Sequence, residues 1–317
     1  MTEPPACTLM APSKLRAIAA IACLAFVAAG ALKSRVPDPS TVFFPDNVKL
    51  TGPAGAVLGV EAIVLLVGAG LWLTIALSKR LASRVLARER RSFRVPDSPA
   101  LVAMLIVAAV LLTIPLAHVC RGDVLCVTLL AFLSFGVVAG ILIGRLAGAG
   151  IRLGSVLGLG SWRALRRGLG TAVCAFVLLK PVMFAIQVAM LLIADRFGLA
   201  FDFQAPVREL LAYPAGSKLV VLFAVIVLIP PFLEEIVFRA FLFGSLRVFA
   251  RTMGAGVLSA GLFAVLHGAP WQFLHLFLLG MFLALVYEKT QSLYASILLH
   301  MLVNAETVGL IVLARLS

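Results

Sequence analysis

Polar material is what this sequence has least of. Of its 317 residues 13% are charged against 62% hydrophobic, and a mean hydropathy of +1.11 excludes an ordinary soluble domain. Acids are scarcer still, 14 Asp and Glu against 27 Lys and Arg. A formal charge of +13 can mark a nucleic-acid binder. Here the bases cluster in short segments between apolar runs, the pattern of cytoplasmic loops, so no nucleic-acid partner is expected. The five cysteines, at 7, 23, 120, 126 and 174, show no CxxC or Cys/His metal spacing. Cys120 and Cys126 flank a loop expected outside the membrane, where a disulfide is conceivable and free thiols are an equal reading. Glycines at 148, 150 and 154 have no preceding strand, which removes a nucleotide-binding reading. The sequence also lacks ten-residue alternation, a long linker, a low-complexity tract and a convincing repeat, which excludes a β-barrel and argues against an inserted soluble domain.

What is there is a series of apolar runs of about 18 to 25 residues, each long enough to cross the hydrocarbon as a helix. They predict an all-α, polytopic transmembrane bundle of eight or nine helices, at about 15–32, 55–78, 99–118, 125–149, 169–195, 218–247, 254–268, 271–288 and 292–314. His267, Gly268, Ala269 and Pro270 mark a break between two of them. The first run follows Lys14 and Arg16 like a secretory signal, but a retained helix is the favoured reading. The segment 79–94 carries seven bases against Glu89 and is assigned to the inside, as are Arg152, Arg163, Arg166, Arg167, Arg247 and Arg251. The N-terminus is then cytoplasmic and the protein sits in the cell inner membrane. Residues 1–200 read as N-terminal transmembrane helices with short basic loops, and 201–317 as the core that carries chemistry. Gly136, Gly140, Gly144 and Gly148 recur every fourth residue and read as a helix-packing seam.

Ionisable groups within a bilayer cost several kcal/mol unless they face the bundle interior, so each is a functional candidate. In the helix at 218–247, Glu234 and Glu235 diverge by about 100° around the axis, while Glu235 and Arg239 lie one turn apart. Glu235 can neutralise Arg239 and leave Glu234 to point elsewhere. The bland alternative is a structural ion cluster, although two carboxylates exceed what one arginine requires. Pro230 and Pro231 predict a kink that admits water. His267 follows Phe263 by four residues, and Asn304 follows His300 by four on the last helix. A lone histidine on an apolar helix is more often a satisfied interior group, and the His300/Asn304 face is equally readable as an interhelical hydrogen bond. Depth separates the readings. Glu234 is thirteen residues from Arg247, His267 thirteen from Gly254 and Asn304 thirteen from Gln291, about 20 Å in each case. A common level makes one polar site the economical interpretation.

The order Glu-Glu-x-x-x-Arg, Phe-x-x-x-His, His-x-x-x-Asn on successive helices resembles the CAAX protease and bacteriocin-processing family of intramembrane proteases, related to the type II CAAX prenyl endopeptidase. The resemblance covers about residues 218–314, with Ala240 departing from a glycine common in that family. It implies an intramembrane endopeptidase acting on a membrane-associated peptide or protein, in which Glu234 and His267 activate water and His300 and Asn304 hold the oxyanion. Glu235 and Arg239 would orient the site or bind the substrate backbone. Glu234, His267 and His300 could ligate zinc, but His-Glu-x-x-His is absent, and the reading leans toward no obligatory metal. Weaker candidates are Lys180, read as pairing with Glu234 or Glu235 or reaching into a polar cavity, and His118, His275 and Glu61, read as structural or interfacial. The rival functions are a proton-coupled transporter, for which no second matching half is found, and a non-catalytic scaffold or immunity protein of the same fold.

Overall fold

The computed structural model describes residues 63–71, 99–120, 124–148, 154, 157–159, 161–197, 217–267 and 272–316. These residues are helical almost throughout, with no strand among them. In chain order they form α1 (Pro99–Val119), α2 (Val124–Gly148), α3 (Trp162–Phe197) and α4 (Ser217–Glu234). A π-helical stretch, Glu235–Phe243, then leads directly into α5 (Gly244–Phe249), followed by α6 (Thr252–Leu266), α7 (Phe273–Thr290) and α8 (Leu293–Leu316). Residues 63–71 are also helical. Leu129–Gly148, Trp162–Met190, Phe273–Thr290 and Leu293–Leu310 are long and apolar enough to cross a membrane. The expected helical membrane fold is therefore the observed one. The candidate helix 15–32, the basic segment 79–94, Glu61 and the break at 268–270 lie outside the described residues.

The chain divides into two units, one of Arg91–Phe176 and Asp202–Leu316, the other of Met1–Arg90, Val177–Phe201 and Ser317. Every candidate site residue belongs to the first, and Lys180 to the second. The core of the first unit gathers Val102 and Ile106 of α1, Leu142 and Leu146 of α2, Phe263 of α6 and Ile297 of α8 around the π-helical stretch. All nine residues of that stretch are buried. Side-chain insertion helps to support the departure from the α-helical ladder: the Ser259 hydroxyl of α6 donates to the Phe238 carbonyl at 3.1 Å.

Element boundaries follow local chemistry. Pro99 opens α1 where its missing N–H is harmless. α3 begins seven residues before the expected 169, because Ser161 caps it through Oγ to the Ala164 N–H at 3.2 Å, so Arg163, Arg166 and Arg167 are helical rather than part of a loop. Cys120 and Cys126 are disulfide-bonded, with Cα atoms 5.6 Å apart, and tie the end of α1 to the start of α2. α7 stops at Gln291, which adopts φ 51° and donates its N–H to the Tyr287 carbonyl at 2.8 Å. The chain then turns into α8 within two residues. Gly158, at φ +63°, backs this turn, since a Cβ there would lie 2.6 Å from the Gln291 carbonyl oxygen. Ser292 Oγ also donates to the Gly158 carbonyl at 3.1 Å.

The anticipated glycine seam is used differently from expectation. Among the described residues, a Cβ on Gly136 would lie 4.0 Å from Leu233, and on Gly140, Gly144 or Gly148 it would meet nothing within 4 Å. Close helix approaches occur elsewhere, at Gly168 of α3, where a Cβ would stand 2.7 Å from Tyr294 Cβ of α8, and at Gly280 of α7, where it would stand 2.9 Å from Ala260 Cβ of α6. The same substitution should consequently act in opposite directions. Gly280→Ala is expected to destabilise the protein by about 1–3 kcal/mol through overpacking, and Gly140→Ala to stabilise it by about 0.5–1 kcal/mol through helix propensity. Thermal unfolding in detergent measures both, and equal effects at the two positions would refute the assignment of the contact.

Candidate active site

Four helical segments bring the polar residues together. Glu235 opens the π-helical stretch and is fully buried. Its Oε1 lies 3.0 Å from Arg239 Nη1 and 3.2 Å from His300 Nδ1, so one carboxylate oxygen serves two partners from different helices. The Arg239 contact is ionic rather than a well-aligned hydrogen bond. Arg239 Nη2 donates to the Gly280 carbonyl of α7 at 3.4 Å. Its guanidinium carbon stands 4.7 Å from the centre of the Phe263 ring. The expectation that Glu235 neutralises Arg239 is met, and His300 is an additional partner.

Glu234 is the last residue of α4, with its side chain 15% exposed. Its Oε2 lies 3.8 Å from His300 Nε2. The His300 ring is therefore set between the two glutamates, Nδ1 toward Glu235 and Nε2 toward Glu234. Protonated on both nitrogens, it could interact favourably with both carboxylates; protonated on Nδ1 alone, it presents a lone pair to Glu234.

His267 caps α6, and its Nδ1 lies 2.7 Å from the Phe263 carbonyl oxygen. A carbonyl only accepts, so Nδ1 carries the hydrogen and the neutral ring keeps its lone pair on Nε2. Phe263 therefore fixes the tautomer through its backbone while its ring packs on His267 at 4.4 Å between centroids and on His300 at 5.8 Å. The Phe-x-x-x-His spacing has a physical reason: one residue supplies both the acceptor and the wall. Among the described residues no hydrogen bond or ion pair joins Glu234 to His267, and their connection runs through His300 and Phe263. Asn304, one turn beyond His300, donates its amide to the Ile226 carbonyl of α4 at 3.3 Å.

Sequence reasoning passed over Phe263 as more than a motif marker, Ser259 as a π-helix donor, and the pair formed by Arg247 and Glu288. Arg247 Nη1 lies 2.6 Å from Glu288 Oε2, and Gln291 Nε2 donates to the Glu288 carbonyl at 2.8 Å. Glu288 near the end of an apolar run was the available signal. His275 lies in the first turn of α7, His118 near the end of α1, and Lys180 in α3 immediately before Pro181.

The proposed zinc donors were Glu234, His267 and His300. Among the described residues no three His, Cys, Asp or Glu side chains form a metal-holding group. His300 Nδ1 is engaged by Glu235, and the His267 Nδ1 hydrogen by Phe263. These contacts hold each ring by Nδ1 and leave Nε2 as its remaining donor atom, an arrangement that metal-bound histidines also use; no chemical step is derived through a metal.

Apolar spanning helices around an interior cluster of carboxylates, imidazoles and an arginine define an integral membrane protein with a polar site inside its bundle. Residues 216–305, which carry that entire cluster, match the family model described as Type II CAAX prenyl endopeptidase Rce1-like. This is the CAAX protease family that the three motifs resemble. No curated protein and no solved structure matches the chain.

The buried pair gives a direct test. Glu235→Gln keeps the volume but leaves Arg239 without its counter-charge, and a loss of about 3–5 kcal/mol of stability is expected. Replacing both partners, Glu235→Leu with Arg239→Met, should recover much of that loss. Denaturant or thermal unfolding in detergent reads the difference, and a loss below about 1 kcal/mol for Glu235→Gln would show that the contact behaves as a surface pair.

Proposed function

We propose that the protein is an intramembrane endopeptidase that hydrolyses a peptide bond of a membrane-associated protein or peptide. The observation that carries this reading is the opposite preparation of the two histidines. His267, with its Nδ1 hydrogen held by a carbonyl, offers a lone pair at Nε2, whereas His300 is faced by a carboxylate oxygen at each ring nitrogen.

In this reading Glu234 and His267 take up water between them, and Glu234 accepts its proton as the water oxygen bonds to the scissile carbonyl carbon. The resulting oxyanion is stabilised by hydrogen-bond donors from His300, protonated on both nitrogens, and from Asn304. Glu234 then returns the proton to the amide nitrogen as the C–N bond breaks, which yields a carboxyl and an amine terminus. Glu235 and Arg239 hold the His300 ring and the π-helical turn rather than meeting the reacting atoms. Residues 201–317 act as the reacting core and 1–200 as its supporting helices. The basic segments favour a cytoplasmic N-terminus in the inner membrane, and the Cys120–Cys126 disulfide supports placing their loop on the oxidising side.

The test uses purified protein in lipid nanodiscs with a quenched fluorogenic prenylated peptide, alongside peptidomics of cells carrying each variant. Glu234→Gln and His267→Ala should each lower turnover by about 10²–10⁴-fold without lowering the unfolding temperature. Wild-type peptide patterns from both variants, together with altered uptake of a solute, would replace the peptidase by a transporter. Activity lost to a chelator and restored only by added metal would establish a metal requirement.

A further inference from the structure

The Ile226 carbonyl has an unusual position in the helix ladder. In α4 its acceptor site would be filled by the N–H of residue 230, or by residue 231 if the turn widened to the π form. Both are prolines, and neither has an N–H. The Pro230 ring also crowds the carbonyl four residues back, turning it away from the helix axis. Val227, one residue later, still has the Phe232 N–H within the π alternative. The double proline thus strips Ile226 of both ladder donors and leaves a carbonyl in an apolar bundle that needs an outside partner. The Asn304 amide of α8 fills that place at 3.3 Å.

We infer that Pro230 is a positioning residue for Asn304: its missing N–H leaves the one-sided Ile226 carbonyl that anchors the Asn304 amide and so fixes the direction of its remaining N–H, while Pro231 bears only on the wider π alternative. The amide group is planar and Nδ2 bears two hydrogens. Because the carbonyl can only accept, Nδ2 and not Oδ1 must face Ile226, and one hydrogen is committed there. The other is held at a set angle in the amide plane one turn from His300. The kink expected from the prolines is thereby only part of their role. An alanine at 230 would restore an N–H to the ladder, compete for the Ile226 carbonyl and release the amide to rotate. This inference rests on the peptidase reading for the use of that N–H, but the anchor itself does not.

The experiment is a double-mutant cycle on the full chain in nanodiscs, with Pro230→Ala, Asn304→Ala and their combination, and Pro231→Ala as the neighbouring control. Unfolding temperature is one readout, and turnover of the prenylated peptide, separated into kcat and KM, is the other. Asn304→Ala should lower the unfolding temperature in the wild-type background and lower it much less in the Pro230→Ala background. Pro230→Ala should reduce kcat by roughly tenfold or more with KM unchanged, while Pro231→Ala stays within about twofold of wild type. An equal drop from Asn304→Ala in both backgrounds overturns the anchor, as does a Pro231→Ala effect as large as that of Pro230→Ala. Coupled stabilities with an unchanged kcat in Pro230→Ala overturn the positioning role. If the stabilities are coupled but the wild-type protein cleaves no peptide, the anchor stands and the peptidase reading falls.

Discussion

A carboxylate with no exposure inside an apolar bundle must be paired, and Glu235 is that carboxylate. Leaving such a charge alone would cost several kcal/mol, more than most single contacts in the protein can offset. Its partners come from separate places: Arg239 from the following turn and His300 from α8. Arg239 in turn reaches Gly280 of α7 and the Phe263 ring of α6. Satisfying one buried acid therefore helps to draw α6, α7 and α8 onto the π-helical stretch. The close contact of Gly280 with Ala260 belongs to the same convergence, since a side chain at 280 would push α7 away from α6 and from Arg239. Geometry that serves charge neutralisation also places Glu234, His267 and Asn304 around His300 and Phe263.

The helices were legible because lipid-compatible runs are long and bounded by strong signals. The expected 99–118 and 125–149 differ from α1 and α2 by a single residue at each end that moved. α3 was shortened in the reading because its first turns are arginine-rich, and apolar periodicity cannot see a helix that leaves the membrane before it ends. The Glu235–Arg239 pair was legible because it is local. Glu235 with His300 was not, since they are 65 residues apart and the register of α8 depends on the left-handed turn at Gln291 and the glycine behind it. The π-helix left no trace in the pattern of residues 235–243, which reads equally well as α; its support includes a serine on another helix. Asn304 was read as sharing a face with His300. Its partner could have been found by counting four and five residues back from the two prolines.

Placement also distinguishes two adjacent glutamates that look equivalent in the chain. Glu235 enters the π-helical stretch and is enclosed, while Glu234 ends the α-helix before it and keeps its side chain 15% exposed. Arg239 balances one negative charge, and Glu235 is the acid in contact with it. The second acid, Glu234, lies at the accessible edge with His300 Nε2 at 3.8 Å. An acid–base group must change its protonation state during turnover without dismantling its surroundings. Glu235 could not do so, because protonating it would strand Arg239 in the core. Glu234 can, because its proton alters the contact with His300 and leaves the buried pair in place. The proposed general base follows from this asymmetry as much as from the motif.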